Sequence, residues 1–314
     1  MNNNKVLITG GCGFIGVNIA RFLHKHGFEI RILDNFSTGK KENLTEAGLD
    51  PPLVNLIVGD IRDQTVVNEA TKGIETVIHL AAHTRVIESI TRPLENWDIN
   101  TKGTANLLES SRNSGVKTFV FASSNVAVGQ QVPPVDETKV PKPISPYGAS
   151  KLAGEALCTA YYYSYGLNTV SLRFGNCYGP YSRHKTSVIA KYIKRAMENE
   201  PLVIYGDGKQ TRDFVHVIDV CRAINLCITT RKQISGEVFQ IASGKETTVN
   251  ELARSVIEVS GKNISIVYES AQKGEIVRNY SNISKAKSIL GFQPEIEIKK
   301  GLSELWDWFS GVKG

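Results

Sequence analysis

The chain has 314 residues, 41% of them hydrophobic, with 37 Lys and Arg against 31 Asp and Glu for a formal charge of +6. That is long and apolar enough for one large or two intimate domains, and it excludes a disordered chain. No basic run exceeds Lys40-Lys41 or Lys299-Lys300, which argues against nucleic acid and leaves a mild surplus suited to a dianionic small ligand.

Residues 1–4 lead straight into a strand pattern, so no signal peptide is expected. Residues 6–9 read as a strand and 15–25 as a helix. Strands follow at 29–33 and 53–58, then a helix at 66–70 and a strand at 76–80. A long helix is expected over 100–114, a strand over 118–122, a second long helix over 147–165 and a strand over 169–173. Short apolar strands alternating with helices imply an α/β fold of Rossmann type, a doubly wound parallel sheet. After Asn176 the regularity weakens, with Pro201, Gly206, Gly208 and Gly236 as punctuation. A helix at 249–259 and a strand at 265–268 suggest a smaller α/β lobe for substrate. Residues 1–175 are thus expected to bind a dinucleotide and 176–314 mainly to bind substrate. The two are interleaved, because 217–227 reads as a helix that could carry 216–242 back to the main sheet.

Cys12, Cys158, Cys177, Cys221 and Cys227 are odd in number and show no CxxC spacing. Neither a disulfide framework nor a zinc site is expected, and no metal is assigned. No apolar run approaches the roughly 20 residues that span a bilayer. The expected compartment is the reducing cytoplasm.

Thr9-Gly10-Gly11-Cys12-Gly13-Phe14-Ile15-Gly16 follows the first strand and opens a helix. Gly10 permits the tight turn, Gly13 lets backbone approach a pyrophosphate, and Gly16 lets helix and strand pack closely. The helix N-terminus adds free N–H groups and partial positive charge. Asp34 ends the second strand, where a carboxylate holds the adenosine ribose hydroxyls and repels a 2′-phosphate, favouring NAD over NADP. Asp34-Asn35 is also good turn chemistry. Asp60 ends the third strand, in reach of adenine, or serves as a cap for the next helix. Tyr147 and Lys151 lie four apart on one helix face. A tyrosine with a free pKa near 10 can act as a base near neutrality only if cations stabilise its phenolate, and a lysine ammonium is one such cation. Ser123 and Ser124 close the fifth strand at the sheet's carboxyl edge, where a hydroxyl could share the substrate oxygen with Tyr147.

In this order the motifs resemble the extended short-chain dehydrogenase/reductases, the NAD-dependent epimerase/dehydratase group, and most closely the UDP-glucose 4-epimerase branch. The residues that carry the resemblance are TGGCGFIG at 9–16, LDNFSTGK at 33–40, GDIRD at 59–63, HLAAH at 79–83 and SPYGASKLAGE at 145–155. LRFGNCYGP at 172–180, YGDGKQTRDFVHV at 205–217 and NISKAKSILGF at 282–292 complete it. The resemblance implies NAD contacts at Gly10, Gly13, Phe14, Ile15, Gly16, Asp34, Asn35, Ser37, Asp60, Ile61, Leu80, Ala81, Ala82, Asn100, Tyr147, Lys151 and Phe174. It implies a catalytic trio of Ser124, Tyr147 and Lys151. On the substrate side it matches Ser124, Asn176, Val188, Tyr205, Arg212 and Glu275, with Arg212 gripping the diphosphate, Arg278 as a second candidate, and Tyr205 facing the base. It implies a homodimer through the helices at 100–114 and 147–165.

Three positions depart from the pattern. Val128 stands before Gly129 where the family often has Tyr. Asn125-Val126 stand where the related 4,6-dehydratases carry an Asp-Glu pair, so the acid for water elimination is missing. Asn279 falls at the position that lines the sugar pocket, and a smaller residue there would admit an N-acetyl group. The activity implied is NAD-dependent inversion at C4 of a nucleotide-diphosphate sugar, a UDP-hexose or its N-acetyl equivalent. A uronate epimerase or decarboxylase, with Arg183 or Arg85 at the carboxylate, is the first alternative, along with other nucleotide-sugar dehydratases. A non-catalytic NAD-binding protein is the second.

Overall fold

The computed structural model describes residues 4–230, 234–271 and 277–311. Its strands are β1 (Lys5–Thr9), β2 (Glu29–Asp34), β3 (Val54–Val58), β4 (Thr76–His79), β5 (Thr118–Ser124), β6 (Asn168–Phe174), β7 (Asn176–Tyr178), β8 (Leu202–Tyr205), β9 (Thr211–Arg212), β10 (Phe214–His216), β11 (Glu237–Ile241), β12 (Thr247–Thr248) and β13 (Ile266–Glu269). Its helices are α1 (Phe14–Lys25), α2 (Lys41–Glu46), α3 (Gln64–Thr71), α4 (Val86–Thr91), α5 (Pro93–Trp97), α6 (Gly103–Asn113), α7 (Pro146–Tyr165), α8 (Val188–Met197), α9 (Val217–Thr230), α10 (Val249–Ser260) and α11 (Ile298–Ser310).

Seven strands form one sheet in the order β11-β6-β5-β4-β1-β2-β3. Every pairing in it is parallel. Alternation along the strands explains why both faces are covered. Val6 and Ile8 of β1 join one core cluster and Leu7 joins another. Val120 and Ala122 of β5 face the first cluster, while Phe119 and Phe121 face the second. Helices α1 and α9 close the first face, and α3, α6 and α7 close the other. Such two-sided burial is what parallel strands require.

The chain leaves β1 toward β2 and β3, then returns to place β4 on the other side of β1. This reversal opens a crevice at the carboxyl ends of β1 and β4, the usual ligand position in such sheets. After β6 the chain builds a third cluster, with Tyr192, Ile193, Leu202, Leu252, Val256 and Leu305 at its centre. Helix α9 then brings the chain back onto α1, and β11 pairs with β6 from Glu237↔Val170 to Ile241↔Phe174.

The helix expected over 100–114 differs in the structure. Residues Asp98–Lys102 form a π-helical turn that runs directly into α6. Helix α7 starts where its sequence permits. Ser145 Oγ accepts from Gly148 N at 3.1 Å, Pro146 occupies the first turn, and Gly166 at φ 71° ends the helix. This cap sets Tyr147 at the start of the helix and Lys151 one turn later.

Candidate active site

The glycine turn is built as its spacing demands. Gly10 sits at φ +69°, and a Cβ there would lie 2.8 Å from Ala81 N. A Cβ at Gly16 would run into the Gly10 carbonyl oxygen, so α1 could not pack so close to β1. Gly13 precedes α1 with ordinary backbone angles, and its missing side chain leaves the helix N-terminus open. No acidic residue occupies the first turn of α1, so its free N–H groups keep their attraction for an anion.

A cleft of about 450 Å³ opens above this turn. Gly10, Gly13, Phe14, Ile15, Gly16, Asp34, Asn35, Ser37, Asp60, Ile61, Leu80, Ala81, Ala82, Tyr147, Lys151 and Phe174 all line it. The cradle of missing Cβ atoms and the lining of the cleft fit a dinucleotide. Asn100 is the exception. Its side chain accepts from His83 N at 2.8 Å and donates to His83 O and Ser150 Oγ at 3.1 and 3.0 Å, so it braces the cleft from behind.

Asp34 is buried, with its carboxylate accepting from Cys12 N at 2.9 Å and Phe36 N at 2.8 Å. One acid therefore ties the glycine turn to the end of β2. Asp60 accepts from Asn35 Nδ2 at 2.9 Å and is gripped by Arg62, which holds its carboxyl down at about 2. Replacing Asp34 by Ala should weaken NAD binding and bring NADP binding up towards it, since the carboxylate that opposes a 2′-phosphate is gone. Titration of both cofactors reads this. Equal binding of the two by the unaltered chain would show that Asp34 does not select.

Burial pushes the Tyr147 hydroxyl up to about 12, with a hydrogen bond from Ser124 working the other way. Burial brings the Lys151 ammonium down to about 8, with Cys158 and Glu155 opposing. Lys151 Nζ donates to Ala122 O at 2.8 Å and lies 6.0 Å from the centre of the Tyr147 ring. Ser123 faces away from this group, donating to Glu155 Oε1 at 2.5 Å, and Glu155 takes a two-pronged bond from Arg173. Of the two serines, then, Ser124 reaches the tyrosine. It does not itself line the cleft, whereas Ser123 does.

The described candidate substrate residues do not line this cleft. Asn176 N donates to Asp213 O, and Val188 begins α8. Tyr205 ends β8, its carbonyl accepting from Gln210 Nε2 at 2.7 Å. Arg212 lies half-buried in β9, its Nη1 donating to Thr211 O at 2.7 Å. Arg278 is forked onto Glu246 through two 2.7 Å bonds, and Glu246 also accepts from Thr211 Oγ1. Asn279 N donates to the same hydroxyl. Arg212, Arg278 and Asn279 thus share one neighbourhood around Thr211. Glu275 lies outside the described residues.

Several lining residues were not foreseen, among them Thr38, Gly39, Arg62, His184 and Lys185. Gly39 crosses so close over the turn that a Cβ would lie 2.6 Å from the Cys12 carbonyl carbon. Buried His79 bonds Thr9 Oγ1 and Thr104 Oγ1 at 2.8 and 2.9 Å, and burial holds its pKa at about 3. The five cysteines are free. No group of metal-binding side chains occurs among the described residues, and no described helix is long and apolar enough to cross a membrane.

A doubly wound sheet with a glycine turn and a Tyr–Lys pair in one crevice defines a dinucleotide-dependent class of protein. The chain belongs to the NAD dependent epimerase/dehydratase family, whose model matches residues 6–242. A putative UDP-glucose 4-epimerase of Methanocaldococcus jannaschii is 39% identical over 96% of this chain and 97% of its own. A UDP-glucuronate 4-epimerase of Thermodesulfobacterium geofontis is 33% identical over 96% and 95%. The crystal structure of UDP-glucose 4-epimerase from Thermotoga maritima with UDP-glucose is 34% identical, with a TM-score of 0.90 over 98% of this chain and 99% of that one.

Proposed function

We propose that this chain is an NAD-dependent 4-epimerase of a nucleotide-diphosphate hexose, acting on UDP-glucose and UDP-galactose or their N-acetyl counterparts. The observation that carries this is the joining of Ser124, Tyr147 and Lys151 beside the cleft that the glycine turn opens. Residues 1–175 and 216–242 form the cofactor side and the rest mainly the substrate side. Bound NAD supplies the reversible oxidation at C4.

The chain's own residues do the rest. Tyr147 as phenolate takes the proton of the sugar 4-hydroxyl, and Ser124 shares that oxygen. The cation of Lys151 lowers the cost of the phenolate, which burial otherwise raises. Arg212 holds the diphosphate, so the sugar can turn its other face while the nucleotide stays put. Once the sugar has turned, Tyr147 returns the proton to the same sugar oxygen, O4. Arg212→Ala should weaken UDP binding about tenfold to a hundredfold, the range for a bond to a charged group. NAD affinity should hardly change. A variant that binds UDP like the unaltered chain would place the diphosphate elsewhere.

Asn125 and Val126 in place of an acid pair support epimerisation over dehydration. The two arginines expected at a uronate carboxylate are engaged elsewhere. Arg183 stacks on Trp308 at 4.1 Å and bonds Glu46, outside the cleft, while Arg85 lines the cleft but pairs with Glu88. A homodimer is part of the same proposal. Exposed Ile90, Leu94 and Trp97 lie on short helices packed against α7, and covering them would bury apolar surface. Solution mass tests this. Incubation with UDP-, dTDP- and GDP-sugars, including UDP-N-acetylglucosamine and UDP-glucuronate, tests the reaction. C4-inverted hexoses are expected, and products from the uronate alone would sink the proposal.

A further inference from the structure

Lys185 has a surplus charge and a site to spend it on. The segment from Gly179 to Lys185 is strapped across the start of α1. Asn18 Nδ2 donates to Phe14 O at 2.8 Å and to Pro180 O at 3.0 Å, which ties strap to helix. Within the strap, Ser182 Oγ donates to Gly179 O at 2.6 Å and Lys185 N to Ser182 O at 2.9 Å. Lys194 Nζ donates to Lys185 O at 3.3 Å and pins its end. The backbone that carries Lys185 is therefore held from three sides.

The side chain turns inward. Lys185 lines the same cleft as the glycine turn, and its Nζ lies 4.7 Å from the centre of the Phe14 ring. Phe14 is the first residue of α1, so the ring that the ammonium faces belongs to the helix end that carries no side-chain cap. No carboxylate pairs with Lys185 among the described residues; its Nζ faces the Phe14 ring. Burial lowers its pKa, which is what an uncompensated enclosed ammonium does. The adjacent His184 also lines the cleft, and after burial it feels Lys185, Lys194, Lys40 and Arg85. Lys185 and His184 thus sit together on the cleft wall, while Arg85 there is already paired with Glu88.

We propose that Lys185 is a phosphate-binding residue of the cofactor site, its ammonium pairing with the dinucleotide pyrophosphate beside the N–H groups of α1. This rests on the NAD reading above. The glycine turn supplies only neutral donors and a partial charge. Lys185 supplies a full one, from a segment remote in sequence, so the cofactor joins β1–α1 to the strap that follows β7. The nucleotide's charge then also holds the two parts of the chain together.

The test is equilibrium titration of the full chain, freed of nucleotide, with NAD⁺ and separately with UDP. Lys185→Met keeps the length and loses the charge, and should weaken NAD⁺ binding about tenfold to a hundredfold. UDP binding and the thermal midpoint without ligand should stay as they are. Lys185→Arg should recover most of the lost affinity, and raising salt should weaken NAD⁺ binding less in the Met variant than in the unaltered chain. Unchanged NAD⁺ binding in Lys185→Met would overturn the proposal. So would a loss confined to UDP, which would give the ammonium to the substrate diphosphate. A loss for both ligands with a lowered midpoint would also overturn it, by making Lys185 a structural strap residue. Failure of the unaltered chain to bind NAD⁺ would instead sink the NAD reading itself.

Discussion

Tyr147→Phe is expected to cut turnover by about 10²–10⁴-fold, the span for loss of a general acid–base group. The fold should survive. The ring is buried at the start of α7, and Phe keeps its volume and packing. Only the hydroxyl goes, and with it the hydrogen bond from Ser124. Tyr147 N still donates to Ser89 Oγ at 3.2 Å, so the helix start remains anchored on α4. NAD binding should persist, because the glycine turn, Asp34 and Lys151 are untouched. The measurement is single-turnover conversion beside a cofactor titration. Near-normal conversion would remove Tyr147 from the chemistry. Loss of NAD binding together with activity would make the hydroxyl a binding group.

The parts of this site that could be read from the sequence are the local ones. Gly10, Gly13 and Gly16 sit within seven residues between a strand and a helix, and their spacing carries its own geometry. Tyr147 and Lys151 are one helical turn apart, so their shared face follows from the helix alone. Strands β1 to β6 were legible because each is a short apolar run, and in β1, β4, β5 and β6 both faces are buried. The region between Leu80 and Asn100 was not legible. It folds as α4 and α5, broken at Pro93, with Ile87, Ile90 and Leu94 turned outward. A helix that leaves its apolar residues exposed gives no core-facing period to detect. Asn100 lies behind the cleft lining, its amide bonded to His83 and Ser150, an arrangement that no local pattern in the sequence foretells. Lys185 and Arg173 had no local signal at all, because what gives each its meaning is a contact with a distant segment.

Glu155→Ala is expected to destabilise the fold by about 3–5 kcal/mol, the cost of stripping one partner from a buried ion pair. Glu155 and Arg173 are 3% and 4% exposed. The carboxylate takes Arg173 Nε at 2.8 Å, Arg173 Nη2 at 2.7 Å and Ser123 Oγ at 2.5 Å. Arg173 has no other anion to turn to, for its Nη1 already lacks a partner among the described residues. The truncation would leave a buried guanidinium and a buried hydroxyl unpaired between α7, β5 and β6. Glu155→Gln keeps one acceptor and should cost less. Glu251→Ala gives the scale for an exposed acid. Glu251 closes the capping box of α10 with Thr248, and a lost cap costs roughly 1 kcal/mol. Denaturant unfolding of the three variants orders them. If Glu155→Ala fell as little as Glu251→Ala, water must reach Arg173, and the pair would not be the clamp that holds α7 to the sheet. The clamp matters for chemistry because of where it sits. Glu155 is one helical turn past Lys151, and Ser123 precedes Ser124, so a single carboxylate fixes the backbone beneath two members of the proposed catalytic trio.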